Sequence, residues 1–380
     1  GTAFRVNNVG QPAAFVFSNL TFSTALSAGG FHLVADDLDG ATPDALTINV
    51  LSSTPATGAG VSQALNGAVI NWPPTGSLFT WTGSVSQDWF TPGNWDLGSV
   101  PGVIDNVSIP FGTPDPILSG NAAVNDLTQA LGNIFLDIHT LVVGGNLNVG
   151  GTIQGLPGSG LVLTCAGGQQ VGATAINVPT AVTGNCVLLT ATQFADLAIQ
   201  GSFDVGSLVL SVIGNLTTLG NGVLVMTGPG QVNVTGDAIF GGGSTSGLLT
   251  AGTLRIGGDF IQVASTSPQS FAADPGHLTE LSADPATITF TTPGVNGSHF
   301  GDLAESGFGA QFILNSDVDI RGFLSGGDGF GGDLLGSSCP VTLTVTRWDN
   351  SVTLDCVQLV IDDPAGNSTG MNDVTFVNLP

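Results

Sequence analysis

The sequence predicts an all-β protein: a right-handed parallel β-helix (β-solenoid) with a Trp-rich cap segment and an N-terminal β segment. Three observations predict it. Helix-surface residues are nearly absent, since the 380-residue chain has no lysine, only two glutamates (Glu280 and Glu305) and 57 glycines. Short apolar or alternating runs such as "LVVGGNLNV", "GQVNVTGDAIF" and "GTLRIGGDFIQV" end in Gly-Asn or Gly-Asp turns, which is strand punctuation. These turns also recur. Gly214, Gly236 and Gly258 are spaced 22 residues apart, and Gly145 precedes them by 69, close to three such periods. A fixed period of this size marks a coil that stacks on its neighbours and buries its inward face against them. Gly and Asx are expected at the corners because the backbone there turns through positive φ. One segment, "TATQFADLAI" at residues 190–199, reads as a short helix.

Composition sets the remaining bounds. Apolar residues make up 42% of the chain and mean hydropathy is +0.38, enough for a large core. The formal charge is −24, from 28 acids against four arginines. Such a surface repels phosphate backbones and anionic headgroups, so neither nucleic-acid binding nor membrane insertion is expected. It favours divalent cations. The chain begins at Gly1, which is expected of a processed mature protein.

Cysteine spacing checks the period independently. Cys165 and Cys186 are 21 residues apart, and Cys339 and Cys356 are 17 apart. One period of separation places both members of a pair on adjacent coils, within reach of a disulfide, so two disulfides and an oxidising compartment are expected. The alternative is a pair of buried, stacked thiols. Zinc is not expected, because the spacing is not CxxC and only four histidines are present.

The expected division is a β segment at 1–76 (coils or a small sandwich), a tryptophan segment at 77–112, and a solenoid of about 12 coils at 113–380. Trp81, Trp89 and Trp95 concentrate three of the five indoles in the middle segment. They either cap an open solenoid end, as Pro92, Pro101 and Pro110 suggest, or form a sugar-stacking platform. The candidate cation is calcium, with Asp36, Asp37, Asp39, Asp328 and Asp333 as ligands in acidic or glycine-rich loops. Asp-Gly turn chemistry explains the same residues without an ion. Catalysis is not expected. Adjacent aspartates such as Asp362/Asp363 point to opposite faces of a strand, and His32, His139, His277 and His299 have no partnered nucleophile motif.

"TWTGSVSQDWFTPGNWDLGSVPGVIDNVSIP", "SGLLTAGTLRIGGDFIQ" and "NSDVDIRGFLSGG" together resemble secreted bacterial surface proteins of the adhesin and autotransporter-passenger type, over about residues 77–330. The resemblance implies a parallel β-helix, export to the cell surface or beyond, a structural or adhesive role, and no catalytic residues. "NDVTFVNLP" near residue 380 also echoes "SNLTFSTAL" near residue 20. The expected role is therefore a self-assembling subunit of an extracellular filament or surface layer, with copies of itself as partner. Asn372, Val374, Phe376 and Leu379 of one copy would dock near Phe22 of the next. The alternatives are an adhesin module that binds glycans through the tryptophans and a polysaccharide-degrading β-helix enzyme.

Overall fold

Nearly every element is a short parallel strand, and strand follows strand up a stack. The computed structural model describes residues 2–8, 13–17, 20–21, 31–38, 46–50, 53–54, 62–66, 68–71, 76–165, 167–305, 311–326, 333–348, 352–363 and 374–377. Two compact units emerge, Gly1–Ser77 and Leu78–Pro380.

The second unit is the β-solenoid. Its long sheet has thirteen strands among the described residues, from Ala122–Val124 to Val374–Phe376, each parallel to the next. A second sheet starts with Leu78–Thr80, Asn106–Ile109 and Leu127–Gln129. It divides at Leu147–Gln154, where a register shift between Val149 and Thr152 bends the strand. The first half of that strand pairs with Leu127–Gln129 and the second with Asn133–Phe135. A coil therefore carries three strand positions: one in the long sheet and two in the divided sheet.

Side chains explain why these segments stack. Within strands burial alternates, as in Thr140–Val143, Gly160–Leu163 and Gln231–Val234. Parallel register places equivalent residues above one another, so Leu141 lies over Leu161 and Leu197 over Leu216. Between the first and last rungs the inward side chains are thus covered from above and below, and the core is one continuous column. Where the coils lengthen, phenylalanine replaces leucine and valine. Phe260 pairs with Ile288 across the widest step, and the extra chain brings Phe271 and Phe300 inside. Phe260 lies 4.8 Å from Phe271, 5.0 Å from Phe290 and 4.7 Å from Phe300 between ring centroids. The larger rings fill the wider interior.

Gly214, Gly236 and Gly258 do align vertically: Gly236 N–H donates to Gly214 O and Gly258 N–H to Gly236 O, both at 3.0 Å. Two parts of the sequence reading need correction. Gly145 belongs to a different corner, between Thr140–Val143 and Leu147–Gln154, so its distance from Gly214 is not a count of whole periods. Nor does any of the four have positive φ. Glycine is required there because the chain crosses the coil below at close range. A Cβ at Gly236 would stand 2.7 Å from Gly214 O and 2.5 Å from Asn215 Oδ1.

Residues 190–199 are not helical. They form Thr192–Phe194 and Leu197–Ile199, which turn a corner at Ala195 and Asp196. Phe194 and Leu197 have helix-like spacing, but parallel neighbours on both sides take the backbone hydrogen bonds and bury both residues. The solenoid also begins before residue 113, since Leu78–Thr80 and Asn106–Ile109 are already rungs. Among the described residues the only helical turn is Pro92–Asn94.

The first unit, taken by itself, also consists of parallel strands. Thr2–Asn8, Phe31–Asp37 and Ser62–Leu65 form one three-stranded ladder, and Ala13–Phe17, Leu46–Val50 and Val69–Asn71 another. Leu20–Thr21 pairs with Ser53–Thr54. A sandwich of antiparallel sheets is ruled out for these strands. Leu33, Ala35, Leu46 and Ile48 are its buried centre.

Candidate functional site

The tryptophan segment forms the first coil of the solenoid unit. Phe79 pairs in register with Val107, and Trp81 N–H continues that ladder to Ser108 O at 2.9 Å. Further along, Trp89 N–H donates to Ile117 O at 2.9 Å, on a ladder that runs on to Phe135. The intervening chain folds inward. Trp81 and Trp89 are 0% exposed and Trp95 is 3% exposed. Trp95 packs edge-on against both, with centroids 4.9 and 4.8 Å away. Trp81 Nε1 donates to Pro114 O at 2.6 Å and Trp95 Nε1 to Trp89 O at 2.8 Å, whereas Trp89 Nε1 has no partner. Sugar stacking needs an open ring face, and none of the three indoles offers one. They plug the interior of this coil.

Buried Asn94 organises the loop around them. Its Oδ1 accepts from Val85 and Ser86 N–H at 2.9 and 2.8 Å, and its Nδ2 donates to Asp88 O at 2.7 Å. Asp88 in turn accepts from Ser119 Oγ, Thr91 Oγ1 and Phe90 N–H. The Ser119 hydrogen bond is the largest influence holding its carboxyl below the usual range, and burial opposes it. The sequence marked the tryptophans as a cluster, but nothing in it marked Asn94 as the hub.

Aspartates also serve as backbone acceptors at the corners. Asp196, Asn215, Asp237 and Asp259 each accept, through Oδ1, a backbone N–H from the coil above, over separations of 19, 22, 22 and 28 residues. A second corner repeats the device with Asp126 and Asn146. Part of the acidic composition is therefore spent on satisfying backbone amides.

Both cysteine pairs are disulfides. Cys165–Cys186 and Cys339–Cys356 join adjacent coils, with Cα atoms 5.3 and 4.8 Å apart, about one strand spacing.

Two histidines have placed side-chain partners, and in both the partner is a backbone carbonyl. His277 is fully buried, with Nδ1 at 2.8 Å from Ala251 O, and burial lowers its pKa. Burial likewise lowers that of His299. Near His299, Arg321 Nη2 donates to Asp319 Oδ2 at 2.5 Å, and Arg321 Nη1 lies 3.6 Å from Asp362. Burial outweighs the arginine and raises the pKa of Asp319. This cluster neutralises charge where a strand enters the interior.

The calcium candidates do not gather among the described residues, where no group of three or more His, Cys, Asp or Glu is placed to hold an ion. Asp36 is buried and accepts from Asn66 Nδ2 at 2.8 Å. Asp37 pairs through its backbone with Asn8, and Asp333 accepts weakly from Gln311 Nε2 at 3.5 Å. Asp39 and Asp328 lie outside the described residues. Of the proposed assembly residues, Val374 and Phe376 are in the last strand of the long sheet, opposite Val352 and Leu354. Asn372, Leu379 and Phe22 lie outside the described residues.

No family model, no curated protein and no solved structure matches this chain.

Proposed function

We propose that the protein is a secreted, non-catalytic structural subunit of an extracellular filament or surface layer, assembled by head-to-tail docking of solenoid ends. The observation that carries this reading is the edge of the long sheet. Val374–Phe376 bonds to Val352–Asp355 on one side and to no other described strand. An edge with one strand neighbour among the described residues is of the kind that takes up a further strand. Contact between unlike ends is heterologous and propagates. Two disulfides suit an oxidising, extracellular setting, and no helix among the described residues is long and apolar enough to cross a membrane. The buried indoles fit an internal plug in such a subunit.

The test is deletion of residues 372–380, followed by negative-stain imaging across a concentration series. Wild type should give rods that lengthen with concentration, and the deletion should remove that growth. Unchanged rods in the deletion, or dispersed wild-type particles at every concentration, would overturn the proposal.

A further inference from the structure

The outward faces of the solenoid sheets differ in chemistry. On the divided sheet, Gln193, Ser211, Asn233, Arg255 and Glu280 follow one another in register, all polar or charged. On the long sheet the corresponding outward column holds Ala181, Ala198, Thr217, Ile239 and Ile261, each half-buried by its neighbours. Inward residues are apolar on both sheets, so core formation does not account for the contrast between these two outward columns. In a chain with a formal charge of −24, the long-sheet column is free of charge.

The column also changes size about its middle. Ala198 and Ala181 lie next below Thr217, with Val162 beyond them, and Ile239 and Ile261 lie next above it, with Thr289 beyond. A hollow of about 460 Å³ sits over Ala181 and Ala198, bordered by Val162, Pro179, Asp196 and Thr217. A second copy turned end for end about an axis along the Thr217 strand sets Ile239 over Ala198 and Ile261 over Ala181. Val162 then faces Thr289, the next residue of the column. Ridge meets hollow twice. The eleven strands of the long sheet that overlap about the Thr217 strand, at about 4.8 Å spacing and about 10–15 Å long, give roughly 500–800 Å² per copy, enough for a specific dimer.

We infer that the outer face of the long sheet is a homodimer interface, with two copies packed face to face and antiparallel, centred on Thr217. The contact is isologous and closes at two. It is independent of end docking, which grows without closing. The same geometry brings the acidic corners of both copies to one side, Asp196 of one near Asp237 of the other. Screening those charges strengthens the dimer.

The full chain is examined by sedimentation velocity up to about 100 µM, in low and about 1 M salt. Wild type should show a dimer that tightens with salt. Ala198→Ile fills the hollow and should weaken dimerisation at least about tenfold. Adding Ile239→Ala exchanges ridge and hollow and should restore it to within a few-fold. The restored double variant separates loss of fit from loss of fold, and circular dichroism follows the fold in each. A monomeric wild type in both salts, an Ala198→Ile variant that dimerises like wild type, or a double variant as weak as the single would each overturn the inference. Removing residues 372–380 should leave the dimer intact, so failure of end docking reads separately.

Discussion

Trp89 shows how much one residue carries. It is fully buried between two other indoles in the first coil, so Trp89→Ala should cost about 3–5 kcal/mol, read as a lower denaturant midpoint. Trp89→Phe should cost less, because Trp89 Nε1 has no partner to lose. Gly236→Ala should destabilise by roughly 1–3 kcal/mol by driving Cβ into the carbonyl of Gly214. Gly206→Ala has open space around the new methyl, and only its positive φ of 61° opposes it, so its loss should be smaller. His277 sets an acid response. Its pKa is lowered in the folded state, so its stabilising contribution is complete above about pH 6.5 and is lost as pH falls toward the folded value. Between about pH 7.5 and 5.5 ordinary carboxylates stay ionised, so the fall in Tm there belongs to the buried histidines and should shrink in His277→Asn.

At the scale of the element, each coil is fixed by its neighbours more than by its own propensities. Reducing the disulfides should therefore loosen particular steps. Each closes a loop of about 20 residues, worth on the order of 3 kcal/mol, and Cys165→Ser/Cys186→Ser should lower Tm with no change of fold by circular dichroism. The coil was legible in the sequence because its corners are made by residue types that have few substitutes: Gly214, Gly236 and Gly258, each followed by Asn or Asp. The cysteine spacing was legible for the same reason. Gly145 misled because several corners use the same dipeptide, and a one-dimensional repeat does not say which corner it marks. The strands at Thr192–Phe194 and Leu197–Ile199 were hidden because their hydrogen bonds come from coils about 20 residues away, which no local pattern reports. Gln262 was hidden too. It is buried in an apolar column, and its amide is satisfied by Ser270, Thr291 and Thr292, which the longer coils bring in.

For the whole molecule, the solenoid unit is a stack in which every interior contact is between near neighbours in height. Stability then accumulates coil by coil. Arg255 lies within a paired strand and is bonded to Glu280, and Arg321 lies within a paired strand beside Asp319. Trypsin should leave the native solenoid uncut at both sites and cleave there only after heating, which gel electrophoresis of timed digests would show. The alternation of residue types made the stack readable from sequence. The difference between its outer faces was not readable, because the sequence does not say which outward residues share a side until the register is known.

The two disulfides have a mechanical consequence. Tension drawn along the chain would peel the stack one loop at a time, each released loop adding about 7 nm of slack. The loops closed by Cys165–Cys186 and Cys339–Cys356 cannot pay out while bridged, so a stretched molecule would stop short by their combined length until a reductant freed them.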